Sequence, residues 1–96
     1  MSKFVLSFRS SNGQAADPNE EAAWGAWFAS IGSSIVDPGN RVGETRPVGD
    51  CGTGTSISGY TLVTADDLDG AIALAMGCPG LQHGGGVEIG QIIDMS

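Results

Sequence analysis

The run Gly59-Tyr60-Thr61-Leu62-Val63-Thr64-Ala65-Asp66-Asp67-Leu68-Asp69-Gly70-Ala71-Ile72-Ala73-Leu74-Ala75-Met76-Gly77-Cys78-Pro79, continued past Gly80 by Leu81-Gln82-His83-Gly84-Gly85-Gly86-Val87-Glu88-Ile89, decides the fold. It reads as a strand, a capped helix, a glycine stop and a glycine-rich entry into a last strand. Asp66 is expected to cap the helix, with Asp67 and Asp69 in its positive first turn. Leu68, Ala71, Ile72 and Ala75 then recur on one face. Gly77 ends the helix and Pro79 prevents its resumption. The last strand is expected over Val87 to Ile93, with Val87, Ile89 and Ile93 on one face and Glu88, Gly90 and Ile92 on the other.

Upstream, Ile57 to Ala65 forms the strand before that helix, and Asp50-Cys51-Gly52-Thr53-Gly54 has the composition of a hairpin connection. A weaker strand is expected within Val42 to Val48. Asp37-Pro38-Gly39 suits a turn, with proline first and glycine where a positive φ is needed. Before it, Asp17 as N-cap, Pro18 at the first helical position and Glu20 three residues after the cap open a helix. Trp24, Trp27, Phe28 and Ile31 make its apolar stripe, and Gly32 is its stop. The loop Ser10 to Ala16 separates it from a first strand, Lys3 to Arg9, with Phe4, Leu6 and Phe8 on the dry face and Val5, Ser7 and Arg9 on the wetter one. The order is βαββαβ. Right-handed crossovers then give an α+β fold, a ferredoxin-like sandwich of one antiparallel sheet with both helices on one face.

The 96 residues suffice for a single domain, 1–96, with one core. Apolar content of 41% against 16% charged residues indicates a folded chain. The net charge of -7 leaves only Lys3, Arg9, Arg41 and Arg46 as cations, too scattered to neutralise a nucleic-acid backbone or to hold an anionic membrane surface. No apolar run approaches the roughly 20 residues that span a bilayer. The segment after Met1 is too short in apolar residues to be a signal peptide, so the expected location is cytoplasmic. In that compartment Cys51 and Cys78 are read as free thiols, a disulfide requiring close alpha carbons that sequence does not show.

Helices on one side leave the other sheet face open, with polar, aromatic and apolar side chains mixed on it. A second copy packed sheet to sheet is its simplest cover, which gives a homodimer enclosing a space. Gly59-Tyr60 through Asp69-Gly70-Ala71, the helix ending at Cys78-Pro79, His83-Gly84-Gly85-Gly86-Val87-Glu88-Ile89, and Val36-Asp37-Pro38-Gly39-Asn40 after an aromatic first helix together resemble the YCII-related proteins. The resemblance covers nearly the whole chain and is weakest from Arg41 to Ser58. It implies a dimeric α+β barrel with a small-molecule site of unassigned substrate. The Asp-Gly-Pro-Phe motif of one branch is absent, as is the histidine near the first helix that another branch pairs with an aspartate, so a dyad of that kind does not carry over.

His83 is the first candidate for chemistry, since an imidazole beside glycines can reach a cleft and exchange a proton near neutral pH. The alternative is a histidine that satisfies loop carbonyls. Glu88 on the open face can polarise that histidine or hold a ligand amine, or simply form an inter-subunit ion pair with Arg9 or Arg46. Tyr60 can present its hydroxyl to a pocket or merely pack. His83, Glu88, Tyr60 and Arg9 are thus the candidate ligand-binding set, with His83 the candidate catalytic residue. No metal is expected, because capping explains Asp66, Asp67 and Asp69 and their spacing is not that of an EF-hand loop. Neither Gly84-Gly85-Gly86 nor Gly52-Thr53-Gly54 meets a phosphate-loop or dinucleotide pattern, so no cofactor is expected. No Gly-x-Ser-x-Gly elbow is present. Two classes stay open: a small-molecule-binding protein or cofactor-independent enzyme using the cleft, and a non-catalytic structural or interaction module without such a site.

Overall fold

The structure, a computed structural model, describes residues 1–11 and 18–94. Its strands are β1 (Ser2–Ser11), β2 (Ile35–Arg41), β3 (Thr55–Ala65) and β4 (Gly86–Gln91), and its helices α1 (Pro18–Ser30) and α2 (Leu68–Ala75). Short 3-10 turns follow the helices at Gly32–Ser34 and Pro79–His83. The sheet is antiparallel throughout, in the order β2-β3-β1-β4, so that β1 and β3 lie at its centre. This α+β arrangement is compatible with the ferredoxin-like sandwich expected from the element order. Asp17, the expected cap of α1, lies outside the described residues.

Alternation along β1 sets the core. Phe4, Leu6 and Phe8 are buried, as are their β3 neighbours Val63 and Ala65. From the helices come Trp27, Ile31, Ala71, Ala75 and Cys78, which join the same cluster. Phe8, Trp24, Trp27 and Phe28 meet ring to ring, Phe8 against Trp24 edge-on with centroids 5.0 Å apart. Such contacts add to the area each ring removes from water. Trp27 also donates its indole N–H to the Leu74 carbonyl at 3.0 Å, tying α1 to α2. With two indoles and Phe8 filling the space, α2 presents the small Ala71 and Ala75 inward. Leu68 and Ile72, expected on that buried face, are 47% and 38% exposed. Of the expected face Ala71 and Ala75 are buried, Leu74 packs partly buried beside them, and Cys78, just past the helix, completes the cluster.

Several boundaries differ from the sequence reading: β1 runs on to Ser11, into the expected loop, and β3 and β4 start at Thr55 and Gly86. The α2 cap is Asp67, not Asp66: its carboxylate accepts the Gly70 N–H at 2.8 Å. The last strand ends at Gln91, although Ile92 N still donates to Lys3 O at 2.9 Å, and Ile93 is left exposed. The largest difference is β2, which occupies Ile35–Arg41 rather than any part of Val42 to Val48. Asp37-Pro38-Gly39 therefore lies inside a strand, as a bulge where the register with β3 slips. An edge strand tolerates a proline, whose missing N–H faces away from the ladder. Gly39, at φ 73, donates its N–H to Asp37 Oδ1 at 2.8 Å, and a Cβ there would lie 1.9 Å from Tyr60 O. Buried Thr61 satisfies its hydroxyl on Pro38 O at 3.0 Å, which pins the bulge to β3. At the other helix end, Gly32 does not adopt a positive φ; the chain continues from Ile31 into the 3-10 turn.

Candidate functional site

The open face of the sheet carries Val5, Ser7 and Arg9 from β1, and the pairing register sets Leu62 and Tyr60 of β3 and Gly90 and Glu88 of β4 beside them. Between Phe8 and Arg9 the register with β3 slips, so Phe8 faces Gly59 while Arg9 faces Ile57. A bulge of this kind re-aims the side chain next to it. Arg9 is thereby turned along β3: Nε donates to Thr55 Oγ1 at 3.0 Å, and Nη2 donates to Cys51 O at 2.9 Å and to Thr55 O at 3.0 Å. These bonds use one edge of a planar guanidinium that has five N–H donors. Nη1 has no partner among the described residues. The same contacts hold the end of the long connection between β2 and β3 against the sheet.

Around this guanidinium lies an open cleft of about 620 Å³, lined by Arg9, Asp50, Cys51, Gly86, Val87 and Glu88. Gly86 opens β4, and nothing approaches the position its Cβ would take, so its missing side chain leaves room there. Asp50 is half engaged, accepting the Gly52 N–H at 3.2 Å. Cys51 is an exposed free thiol whose Sγ lies 3.4 Å from Val48 O. Glu88 is exposed and has no ion pair or hydrogen bond to its carboxylate among the described residues. The arrangement can hold charged groups of both signs. It cannot bury them, since the cleft is open to water.

Two of the four residues singled out from sequence, Arg9 and Glu88, therefore line one cleft, and two do not. Tyr60 has its hydroxyl bonded to the Asn40 side-chain amide at 3.0 Å, farther toward the β2 edge. His83 is the last residue of the 3-10 turn that follows α2, half-buried, and Gly84 closes that turn in the left-handed conformation. The glycines beside His83 are explained largely by packing. Ser11 Oγ donates to Gly84 O at 3.0 Å, and a Cβ on Gly85 would lie 2.4 Å from Arg9 O. The room expected next to the imidazole is thus occupied by the β1 backbone at Gly85, and opens only at Gly86.

Asp50 and Cys51 enter the cleft without a sequence signal, because they reach it through a connection that folds back onto the end of β1. The usable signal was Arg9, a cation on an otherwise mixed strand face. Cys78 belongs to the core rather than to the cleft; burial pushes its thiol pKa up, partly offset by the backbone N–H groups of Gly80 and Leu81. Among the described residues no three His, Cys, Asp or Glu side chains converge as a metal site, and no helix is long and apolar enough to cross a membrane. Neither the protein-family models nor the curated proteins searched give a match to this chain.

Proposed function

We propose that this chain is a small-molecule-binding protein of the YCII-related type, working as a homodimer that covers the open sheet face and encloses the Arg9 cleft in a dimeric α+β barrel. The observation that carries the binding reading is the guanidinium of Arg9, fixed along one edge by three hydrogen bonds while Nη1 has no partner among the described residues and lies beside a cleft. A pre-fixed cation binds an anionic group without first losing its own rotamer freedom. The dimer is supported by half-exposed Val5 and Leu62 and by Ile57 and Ile92, each 37% exposed, around the same face. The family reading is supported by the motifs quoted above.

A thermal-shift screen of organic acids, amines and neutral compounds on the wild type and Gly86→Val tests the cleft. Stabilisation in the wild type that disappears in the variant is expected; equal stabilisation of both removes the ligand from this cleft. Light scattering tests the assembly, where twice the chain mass is expected and a monomer at micromolar concentration contradicts it. Cofactor-independent catalysis with His83 as proton donor or acceptor is the second reading. It is favoured by the position of His83 in the turn that leads directly into Gly86 and Glu88. An activity lost in a folded His83→Ala variant would select it over binding alone, and stabilisation by no compound class would favour a structural or interaction module.

A further inference from the structure

Arg9 and Glu88 carry opposite charges on one face of neighbouring strands and yet do not pair. Arg9 faces Gly86 across the β1–β4 ladder and Ser7 faces Glu88, so the two charged residues are diagonal neighbours. Such positions lie about 7 to 8 Å apart at the alpha carbons, within reach of long side chains. The pair does not close because Thr55 and Cys51 hold the guanidinium on the β3 side. Among the described residues Glu88 has no partner across the cleft, and Asp50 adds a second carboxylate to its lining. A fold that keeps a cation and a carboxylate apart beside a cleft presents two separated, complementary charges to whatever enters.

From this geometry we infer that the cleft takes a small zwitterion, with a carboxylate on Arg9 Nη1 and an ammonium on Glu88, the class to which amino acids belong. The inference rests on the reading of the cleft as a binding site and narrows its ligand. A simple carboxylic acid fits less well: it brings a further negative charge to a lining of one cation and two carboxylates, on a chain of net charge -7. A simple amine satisfies Glu88 and leaves the guanidinium edge empty. A zwitterion satisfies both without changing the net charge. Asp50, engaged with the Gly52 N–H, is the secondary acceptor for the ammonium.

The test uses glycine, β-alanine and γ-aminobutyrate as probes of increasing charge separation, with acetate, methylammonium and an equimolar mixture of the two as controls. Binding is read by calorimetry and thermal shift on the wild type, Glu88→Gln and Gly86→Val. At least one zwitterion is expected to bind more tightly than acetate, methylammonium or their mixture. Its affinity should fall roughly threefold to tenfold in Glu88→Gln, the size of an exposed or partly desolvated charge contact, while acetate binding does not fall. Glu88 is exposed and has no partner among the described residues, so this substitution leaves the fold intact. Acetate binding as tightly as every zwitterion, or zwitterion binding unaffected by Glu88→Gln, overturns the inference while Gly86→Val still reports on the cleft. Probes that bind wild type and Gly86→Val equally, or do not bind at all, overturn the inference and the cleft reading together.

Discussion

The two faces of β1 differ by one residue in register and by everything in environment. Phe4, Leu6 and Phe8 are 1%, 0% and 6% exposed beneath the helices, while Val5, Ser7 and Arg9 remain half-exposed on the other side. On the covered face, packing dictates the side chain: an indole pair, small alanines and three phenylalanines must share one volume. On the open face the contacts are polar instead: Arg9 bonds to Thr55 and Cys51, and the Tyr60 hydroxyl accepts from Asn40. The guanidinium of Arg9 is held there by three hydrogen bonds that tie the end of the β2–β3 connection to the sheet, and its remaining nitrogen is the group the proposed ligand would engage.

Substitutions on the two faces should break or sharpen this contrast. Trp27→Ala removes a buried aromatic and its bond to Leu74, and is expected to cost about 3 to 5 kcal/mol by chemical denaturation. A nearly neutral result would mean that the covered face is not the core. Gly39→Ala tests the β2 bulge: a left-handed φ and a Cβ driven into Tyr60 O predict a loss of about 2 to 3 kcal/mol. Were β2 to lie in Val42 to Val48, with Asp37-Pro38-Gly39 a free turn, that loss would shrink to the φ contribution alone.

The sequence made one of these faces legible and left the other half-read. Strict alternation in Lys3 to Arg9 and the tryptophan stripe of α1 announced the core because a period is visible without tertiary context. The strand β2 was hidden because Asp37-Pro38-Gly39 has turn chemistry, and only its pairing with β3 and the Thr61 bond to Pro38 make it a bulged edge. The signal that pointed the right way was Ile35-Val36, β-branched residues directly after a helix. On α2, Ala71 and Ala75 belong to both the expected and the observed face. The volume already taken by Trp27 and Phe8 selects Leu74 beside them over Leu68 and Ile72, and no periodicity contains that information. In the candidate site, Arg9 and Glu88 were readable from alternation, whereas Asp50 and Cys51 arrive by a loop whose path depends on Arg9 itself.

Smaller effects refine the picture. Asp67→Ala should cost about 1 kcal/mol through loss of the Gly70 contact, and Asp66→Ala no more than about 0.5 kcal/mol; equal effects would contradict the cap assignment. The two thiols should separate cleanly. Cys51 is expected to react with a thiol reagent in the native state, and Cys78 only on unfolding. Because burial raises the Cys78 pKa in the folded chain, the unfolded chain ionises first as pH rises past the ordinary thiol value. Stability should therefore fall with pH from that value up to the folded-state pKa and be unaffected below it. Cys78→Ala should remove this dependence. Least of all, Glu88→Gln should change stability by no more than about 0.5 kcal/mol, an exposed position with no partner among the described residues having little to lose.

The most direct test of a binding face opposite the core is the side-chain N–H spectrum of the arginines in nitrogen-labelled protein, followed while β-alanine is added. Arg41 and Arg46, both exposed, serve as internal references. The expected result is an Arg9 Nε–H that exchanges slowly, because Thr55 Oγ1 accepts it, and that moves with the zwitterion while the other two stay in place. An Arg9 signal that exchanges as fast as those of Arg41 and Arg46, or one that stays fixed while signals around His83 move, would contradict the assignment of the site to the open face of β1.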